Sequence, residues 1–385
     1  MAYCKICGIF NCRKHVFLVA PTDTITEFSG SSPPEIFVGR YNYPNVNIGI
    51  LSPKFYGENQ ILSSPEEWHK NQLSTDQIVE LRKELIYGRT KNHIKKLNDK
   101  FLRTMQEVAM TERSISCEFK LKKPIFQNME KEKSSPLISK AAQIKRVRLE
   151  ENPRIKPKVE YITSDTDAKS RTSILELEKH GLNSSEIIKI LSAGLLGIKN
   201  RRKLVPTKWS ITAVDNTLSK EKLKEIKLYN EIDEITVFYS EYLGNHYEFL
   251  LLPDKFSFEV IEISAHGIWH DYESFFARKN YAEEVTGAYY ANRLAVAEHL
   301  KKIKRQSSII VFREILPEYN IPLGVGILRE TSREAFRKKP EKYDSIKQAL
   351  ETIQKRLKIP IENFSTNSMI IKNYKKQKRI SEWFS

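Results

Sequence analysis

Apolar positions change their spacing several times along the chain, and each change predicts an element. After the turn-rich stretch Ser29 to Pro34, short apolar runs between Glu35 and Leu51 are broken by Gly39, Asn42, Pro44 and Gly49, a pattern of strands and tight turns. From Thr75 to Val108 the residues Ile78, Leu81, Leu85, then Ile94, Leu97, Phe101, Met105 and Val108 recur at three and four. That spacing predicts one long or two consecutive amphipathic helices, broken at Gly88. Ile174 to Leu191 also reads as helical, with Asp165 or Asp167 as its N-cap. Lys208 to Val214 reads as a strand ending at Asp215, followed by alternating strands over Thr236–Tyr239, Tyr247–Leu252 and Phe256–Ile263. Val285 to Ile303 is apolar on most faces, interrupted by Arg293, and reads as a buried helix. Two strands follow, Ile309–Phe312 and Val325–Leu328, trailed by Arg313-Glu314 and Arg329-Glu330. Strand runs and helices mix without regular βα alternation, so the expected class is α+β. Two mixed domains, 19–158 and 159–365, lie between an N-terminal loop (1–18) and a flexible basic tail (366–385).

The 385 residues are 40% hydrophobic, enough for two domains with cores and not the composition of a disordered chain. Formal charge is +16 and spread along the sequence, which points to a polyanion partner, most economically nucleic acid. The densest basic stretch runs from Phe119 to Lys158, twelve Lys/Arg against four Asp/Glu, and reads as a partly strand-forming border between the domains. No run of about 18 apolar residues occurs, and the N-terminus lacks the apolar core of a signal peptide. A cytoplasmic protein without a membrane partner is expected.

Three of the four cysteines fall within nine residues, in Cys4-x-x-Cys7-x4-Cys12-x-x-His15. Three thiolates and an imidazole match the ligand types and count of a closed tetrahedral Zn²⁺ site, structural because no coordination place stays open. It would hold the N-terminus or present Lys5, Arg13 and Lys14 to phosphate. A redox CxxC pair and a cluster of free thiols are the alternatives. Metal analysis is expected to find about one zinc per chain, lost on replacing Cys4 and Cys7; a folded, metal-free protein would refute the site. Cys117, in a strand-like run, reads as a small core residue.

The chain ends Gln377-Lys-Arg-Ile380-Ser-Glu-Trp383-Phe384-Ser385, the signature of peptides that bind the PCNA sliding clamp of DNA. In that mode Ile380, Trp383 and Phe384 enter one apolar pocket and the Gln377 amide anchors its edge, with the two aromatics as hot spots. Alternatively, the same three residues, spaced as one helical face, pack on the protein's own core. The preceding Lys372 to Lys376 is basic and reads as a mobile tether suited to a ring threaded by DNA.

For DNA contact, Arg40, Arg89, Arg201, Arg202 and Lys208 lie beside Gly, Asn or Trp in turn-like sequence, where backbone and side chain can approach phosphate together. No recognition-helix motif is present, which favours shape or single-strand binding over base readout. A nuclease would need carboxylates converging on Mg²⁺ or Mn²⁺; Asp215, Glu259 and Glu262 with Lys208 are the candidates, though Asp215 reads better as a cap or turn residue. His266-x3-His270 resembles half of a metal site, and the Arg-Glu pairs read as structural ion pairs. Whether the protein is an enzyme stays open at this point.

The blocks Asn42 to Gly49, Leu204 to Asp215, Gly287 to Val296 and Pro322 to Gly326 with Arg329-Glu330 together resemble the archaeal Nre (NreA-like) DNA repair proteins, over nearly the whole chain. The resemblance implies an archaeal cytosolic protein that responds to DNA damage and works with the sliding clamp through its C-terminal motif. It also implies a cysteine-only finger, from which His15 departs. It supplies no catalytic residues. Three functions therefore compete: a clamp-recruited factor binding damaged or branched DNA, a structure-specific metal-dependent nuclease, and a clamp-associated adaptor with little affinity for DNA.

Overall fold

Two six-stranded mixed sheets organise the residues that the computed structural model describes, 24–126 and 141–374. The first contains β1 (Thr24–Ser32), β2 (Ile36–Val38), β3 (Asn45–Ser52), β4 (Ile86–His93), β5 (Ile115–Phe126) and β6 (Ala141–Leu149), in the order β1-β5-β6-β4-β3-β2. Only β4 beside β6 is parallel within it. Its buried face, with Ile48, Phe119, Ile144 and the fully buried Cys117, packs on Leu102, Met105 and Val108 of a helix, Lys100–Met110. Burial pushes the Cys117 thiol up to about 12, as expected of a core thiol. The opposite face exposes Lys120, Lys122, Lys145 and Arg146. The basic stretch read as a border therefore supplies two interior strands of this sheet.

The helical reading of Thr75 to Val108 is corrected in its middle. Two helices precede β4, α1 (Pro65–Lys70) and α2 (Thr75–Lys83), and α3 (Lys100–Met110) follows it. Gly88 is no helix break: it sits inside β4, where an added Cβ would lie 2.6 Å from Ile144 Cδ1 and 3.2 Å from Phe119 Cδ1. The apolar spacing of two short helices resembled one period because the strand between them is itself buried.

Four helices lead to the second sheet: α4 (Pro157–Ser164), α5 (Ser170–Lys179), α6 (Ser184–Ser192) and α7 (Thr207–Ile226). The single helix expected from Ile174 to Leu191 is split between α5 and α6 at Gly181, whose φ of +86° suits glycine. Neither aspartate caps α5, which starts after Lys169. Asp165 instead closes α4, its carboxylate accepting from the N–H groups of Asp167 (2.9 Å) and Ala168 (3.3 Å).

The second sheet comprises β7 (Ile235–Tyr242), β8 (Asn245–Leu252), β9 (Ser257–Ser264), β10 (Gly267–Glu273), β11 (Ser308–Ile315) and β12 (Glu341–Tyr343), ordered β10-β9-β11-β8-β7-β12. Helices cover both faces. Tyr247, Phe249, Val260 and Val311 face α7, α8 (Gly287–Ile303) and α9 (Val325–Ala335). Leu250, Ile261, Ile310 and Phe312 face α10 (Ile346–Gln354), α11 (Ile361–Ser365) and α12 (Met369–Tyr374). Burial on both sides explains why apolar residues occupy both faces of these strands, in place of the expected alternation.

Two segments read as strands are helices. Lys208–Val214 lies in α7, and its buried positions Ser210, Val214, Leu218 and Asp215, Ser219 recur at helical spacing. Packing against α6 and α8 overrides the strand preference of Ile211, Thr212 and Val214. Val325–Leu328 opens α9 after Gly324, at φ +95°; a four-residue apolar run cannot distinguish the two states.

Candidate nucleic-acid interface

The turn at 40–43, the N-terminal half of α7, the loop 278–286 and the start of α8 enclose a cavity of about 610 Å³. Six cationic side chains line it, Arg40, Lys208, Lys220, Arg278, Lys279 and Arg293, and no carboxylate does. On α7, Lys208, Thr212, Asn216 and Lys220 share one face through their four-residue spacing. Arg40, Lys208, Lys220 and Lys279 make no ion pair among the described residues, so their charge is available to a ligand.

The other two cations build the wall. Arg278 donates to Asp271 (2.7 Å) and to the carbonyls of Asn280 (3.1 Å) and Tyr281 (3.0 Å), folding the loop around its guanidinium. Burial works to lower the Arg278 pKa, but the hydrogen bond and charge of Asp271 hold it above its ordinary value. The second oxygen of Asp271 accepts from Val285 N–H (2.8 Å), and Tyr290 OH accepts from Ala282 N–H (2.9 Å). Arg293, fully buried in α8, joins three elements by donating to Glu273 (2.8 Å), Ser219 (3.2 Å) and Asn216 (2.5 Å). It borders the cavity with its charge paired to Glu273 in a fully buried ion pair.

Aromatic surface completes the cavity. Trp209 packs on Tyr43, centroids 5.1 Å apart, and Tyr281 stacks on Tyr290 at 5.4 Å and 28°. Trp209 and Tyr281 are nonetheless each 44% exposed. Thr286, also in the lining, holds φ +58° and ψ −125°, a strained conformation for a β-branched residue, and its side chain leaves the N-terminus of α8 uncapped.

A second basic cavity, about 290 Å³, opens on the first sheet between Lys91, Lys96, Lys100, Lys122, Lys145 and Arg146. Its one carboxylate, Asp99, caps α3 through the N–H groups of Phe101 (2.9 Å) and Leu102 (3.4 Å). The turn at 40–44 lies between the two: Arg40 lines the first and Tyr43 packs on its Trp209, while Asn45 pairs with His93 on β4, whose residues 90–92 line the second. Tyr41, 69% exposed, stands in that turn.

Of the five cations expected to contact DNA, Arg40 and Lys208 meet in the first cavity. Arg89 lies on β4 with its guanidinium 5.9 Å from the Tyr87 ring, and Arg201 is exposed in a short turn of 3₁₀ helix. Arg202 points inward, donating to the carbonyls of Gly197, Thr163 and Asp165 at 2.5–2.8 Å. Sequence reasoning missed Lys220, Arg278, Lys279 and Tyr281. The run Arg278-Lys279-Asn280-Tyr281, two cations and an aromatic ahead of a helix, was the available signal.

The carboxylates considered for metal-assisted hydrolysis do not converge. Asp215 is fully buried in α7 and paired with Arg329 of α9 by two bonds, 3.1 and 2.9 Å, so it is neither ligand nor cap. Glu262 pairs with Arg313 at 2.7 Å. Glu259 accepts from Ser368 Oγ (2.5 Å) and from the N–H groups of Met369 (2.6 Å) and Ile370 (3.2 Å), anchoring the start of α12, and contacts His270 Nε2 at 2.7 Å. The two carboxylates, three apart on β9, take opposite faces. His266 lies in the turn before β10 and His270 within that strand, and no group of three His, Cys, Asp or Glu able to hold a metal occurs among the described residues. Arg329 and Arg313 are thus structural, as are Glu330, paired with Arg333, and Glu314, which accepts from Lys358 and Ile359 N–H. Cys4, Cys7, Cys12 and His15, and Gln377, Ile380, Trp383 and Phe384, lie outside the described residues. The expected tether begins as the end of α12, with Ile370 and Ile371 buried and Tyr374 packed beside them. No helix among the described residues is long and apolar enough to cross a membrane.

The family model described as Archaeal Nre, N-terminal, matches residues 1–270, and that described as Archaeal Nre, C-terminal, matches 273–383. The junction falls in β10, so the two matched regions share the second sheet. DNA repair protein NreB of Archaeoglobus fulgidus is 35% identical over 89% of this chain and 88% of its own. DNA repair protein NreA of Haloferax volcanii is 33% identical over 80% and 77%, and NreA of A. fulgidus 34% identical over 85% and 84%. No solved structure matches. With both family models accounting for nearly its whole length, the chain belongs to the archaeal Nre family of DNA repair proteins.

Proposed function

We propose that this protein is a DNA repair factor that binds damaged or branched DNA through the two basic cavities and is recruited by the PCNA sliding clamp through Gln377, Ile380, Trp383 and Phe384. The observation that carries the DNA reading is the first cavity: six cations, no carboxylate and two exposed aromatic rings. Such a lining suits phosphates and bases, whereas an adaptor reading an acidic protein would have no use for the stacking surfaces. The repair names of the relatives support the same reading. A zinc at Cys4, Cys7, Cys12 and His15 belongs to the proposal as a structural element.

The test is retention of labelled single-stranded, duplex, flapped and forked DNA at several salt concentrations, with and without Mg²⁺ or Mn²⁺. Salt-sensitive binding is expected, and replacing Lys208, Lys220 and Lys279 together by Ala should lower the slope of log affinity against log salt by about 2 to 3. An unchanged slope would remove the cavity from the interface. Metal-dependent cleavage would move the protein to the nuclease class.

A further inference from the structure

The first cavity differs from an ordinary phosphate-binding surface in holding aromatic platforms that are built and yet uncovered. Trp209 rests on Tyr43, itself 40% exposed, and Tyr281 on the buried Tyr290, so each ring is held against a neighbouring one while 44% of its surface faces solvent. A protein gains nothing in its own fold from keeping two braced rings half bare, whereas a base with a free π-face would cover them. Amide groups stand beside them: Asn216 and Asn280 offer donors and acceptors of the kind that meet base edges, although the Asn216 oxygen is taken by Arg293. Free cations surround the rings, and the strained Thr286 leaves the α8 N-terminus uncapped in the same lining. The second basic cavity lacks this combination; Phe101 is its one aromatic, and lysines dominate.

A volume near 610 Å³ is larger than a single nucleotide requires and too small for a duplex. We propose that this cavity is a nucleotide pocket: it takes one unpaired nucleotide, its base stacked on Trp209 or Tyr281 and its flanking phosphates held by Lys208, Lys220 and Lys279. The inference rests on the DNA reading above and narrows it to strands that present an unstacked base, at a gap, flap, bulge or end. A free nucleotide has the same chemistry, and the experiment separates the two sources.

Fluorescence anisotropy would compare a short duplex carrying one unpaired adenine with its fully paired counterpart, and calorimetry would titrate dAMP. The unpaired duplex is expected to bind roughly ten-fold tighter or more, with that advantage lost in Trp209→Ala and in Tyr281→Ala and reduced in Lys208→Ala, which removes a contact to the phosphates flanking the inserted nucleotide. Two variants on different elements guard against misfolding of either, which thermal melts would reveal. Tight dAMP binding, weakened by the same variants, without any preference between duplexes would support the pocket with a free nucleotide as its ligand. Equal binding of both duplexes, no response to either aromatic variant and no dAMP binding would overturn the pocket while leaving the DNA reading intact. Loss of all DNA and nucleotide binding in the wild type would overturn both.

Discussion

Asp215→Ala is expected to destabilise the protein by about 3–5 kcal/mol, because it strands the Arg329 guanidinium in a dry core. Arg329 is 1% exposed and Asp215 0%, and the pair ties α7 to α9. Denaturant unfolding measures the loss. The companion variant Asp215→Leu with Arg329→Met removes both charges and should recover most of it, since a buried pair replaced by apolar residues is often neutral. A single variant within about 0.5 kcal/mol of wild type would mean that the pair holds nothing together. The outcome also governs how activity is interpreted: any DNA-processing defect of Asp215→Ala reports the integrity of the α7–α9 contact, not a missing metal ligand.

Replacing Trp383 and Phe384 together by Ala is expected to weaken binding to the PCNA sliding clamp by about 4 kcal/mol, roughly a thousand-fold, as for two truncated anchors of one pocket. Calorimetry with the purified clamp measures it. The melting temperature should stay constant, because the residues that close the second core, Phe364, Ile370 and Ile371, all precede the motif. A fall in melting temperature with unchanged clamp affinity would instead assign Ile380, Trp383 and Phe384 to the protein's own packing.

The strands of the second sheet were legible because Ile309 to Phe312 and Phe249 to Leu252 are short, wholly apolar runs, too short for helices. The helix at Gly287–Ile303 was legible by its length. What escaped were places where tertiary packing decides. Lys208 to Val214 carries three β-branched residues, yet α6 and α8 hold it helical, and Ile86 to His93 hid between two helices whose spacing it continued. The interface was half legible for a similar reason. Arg40 and Lys208 stand out as turn cations, but a cavity assembled from positions 40, 208–220 and 278–293 has no footprint in any one stretch of sequence. Asp215 and Glu259 looked chemical by residue type, and only their buried partners identify them as fasteners of helices.

The anchoring of α12 by Glu259 has a mechanical meaning for the proposed recruitment. Only Lys375 and Lys376 separate Tyr374, seated on the second core, from Gln377. Even fully stretched, such a link spans about 10 Å. A ring captured by this motif would not trail behind on a long leash; it would sit close against one flank of the sheet, at a narrow range of angles. Capture would then do more than raise local concentration. It would act as a bracket, fixing the azimuth from which the basic cleft approaches the DNA axis and limiting how many other proteins can occupy the same arc of the ring.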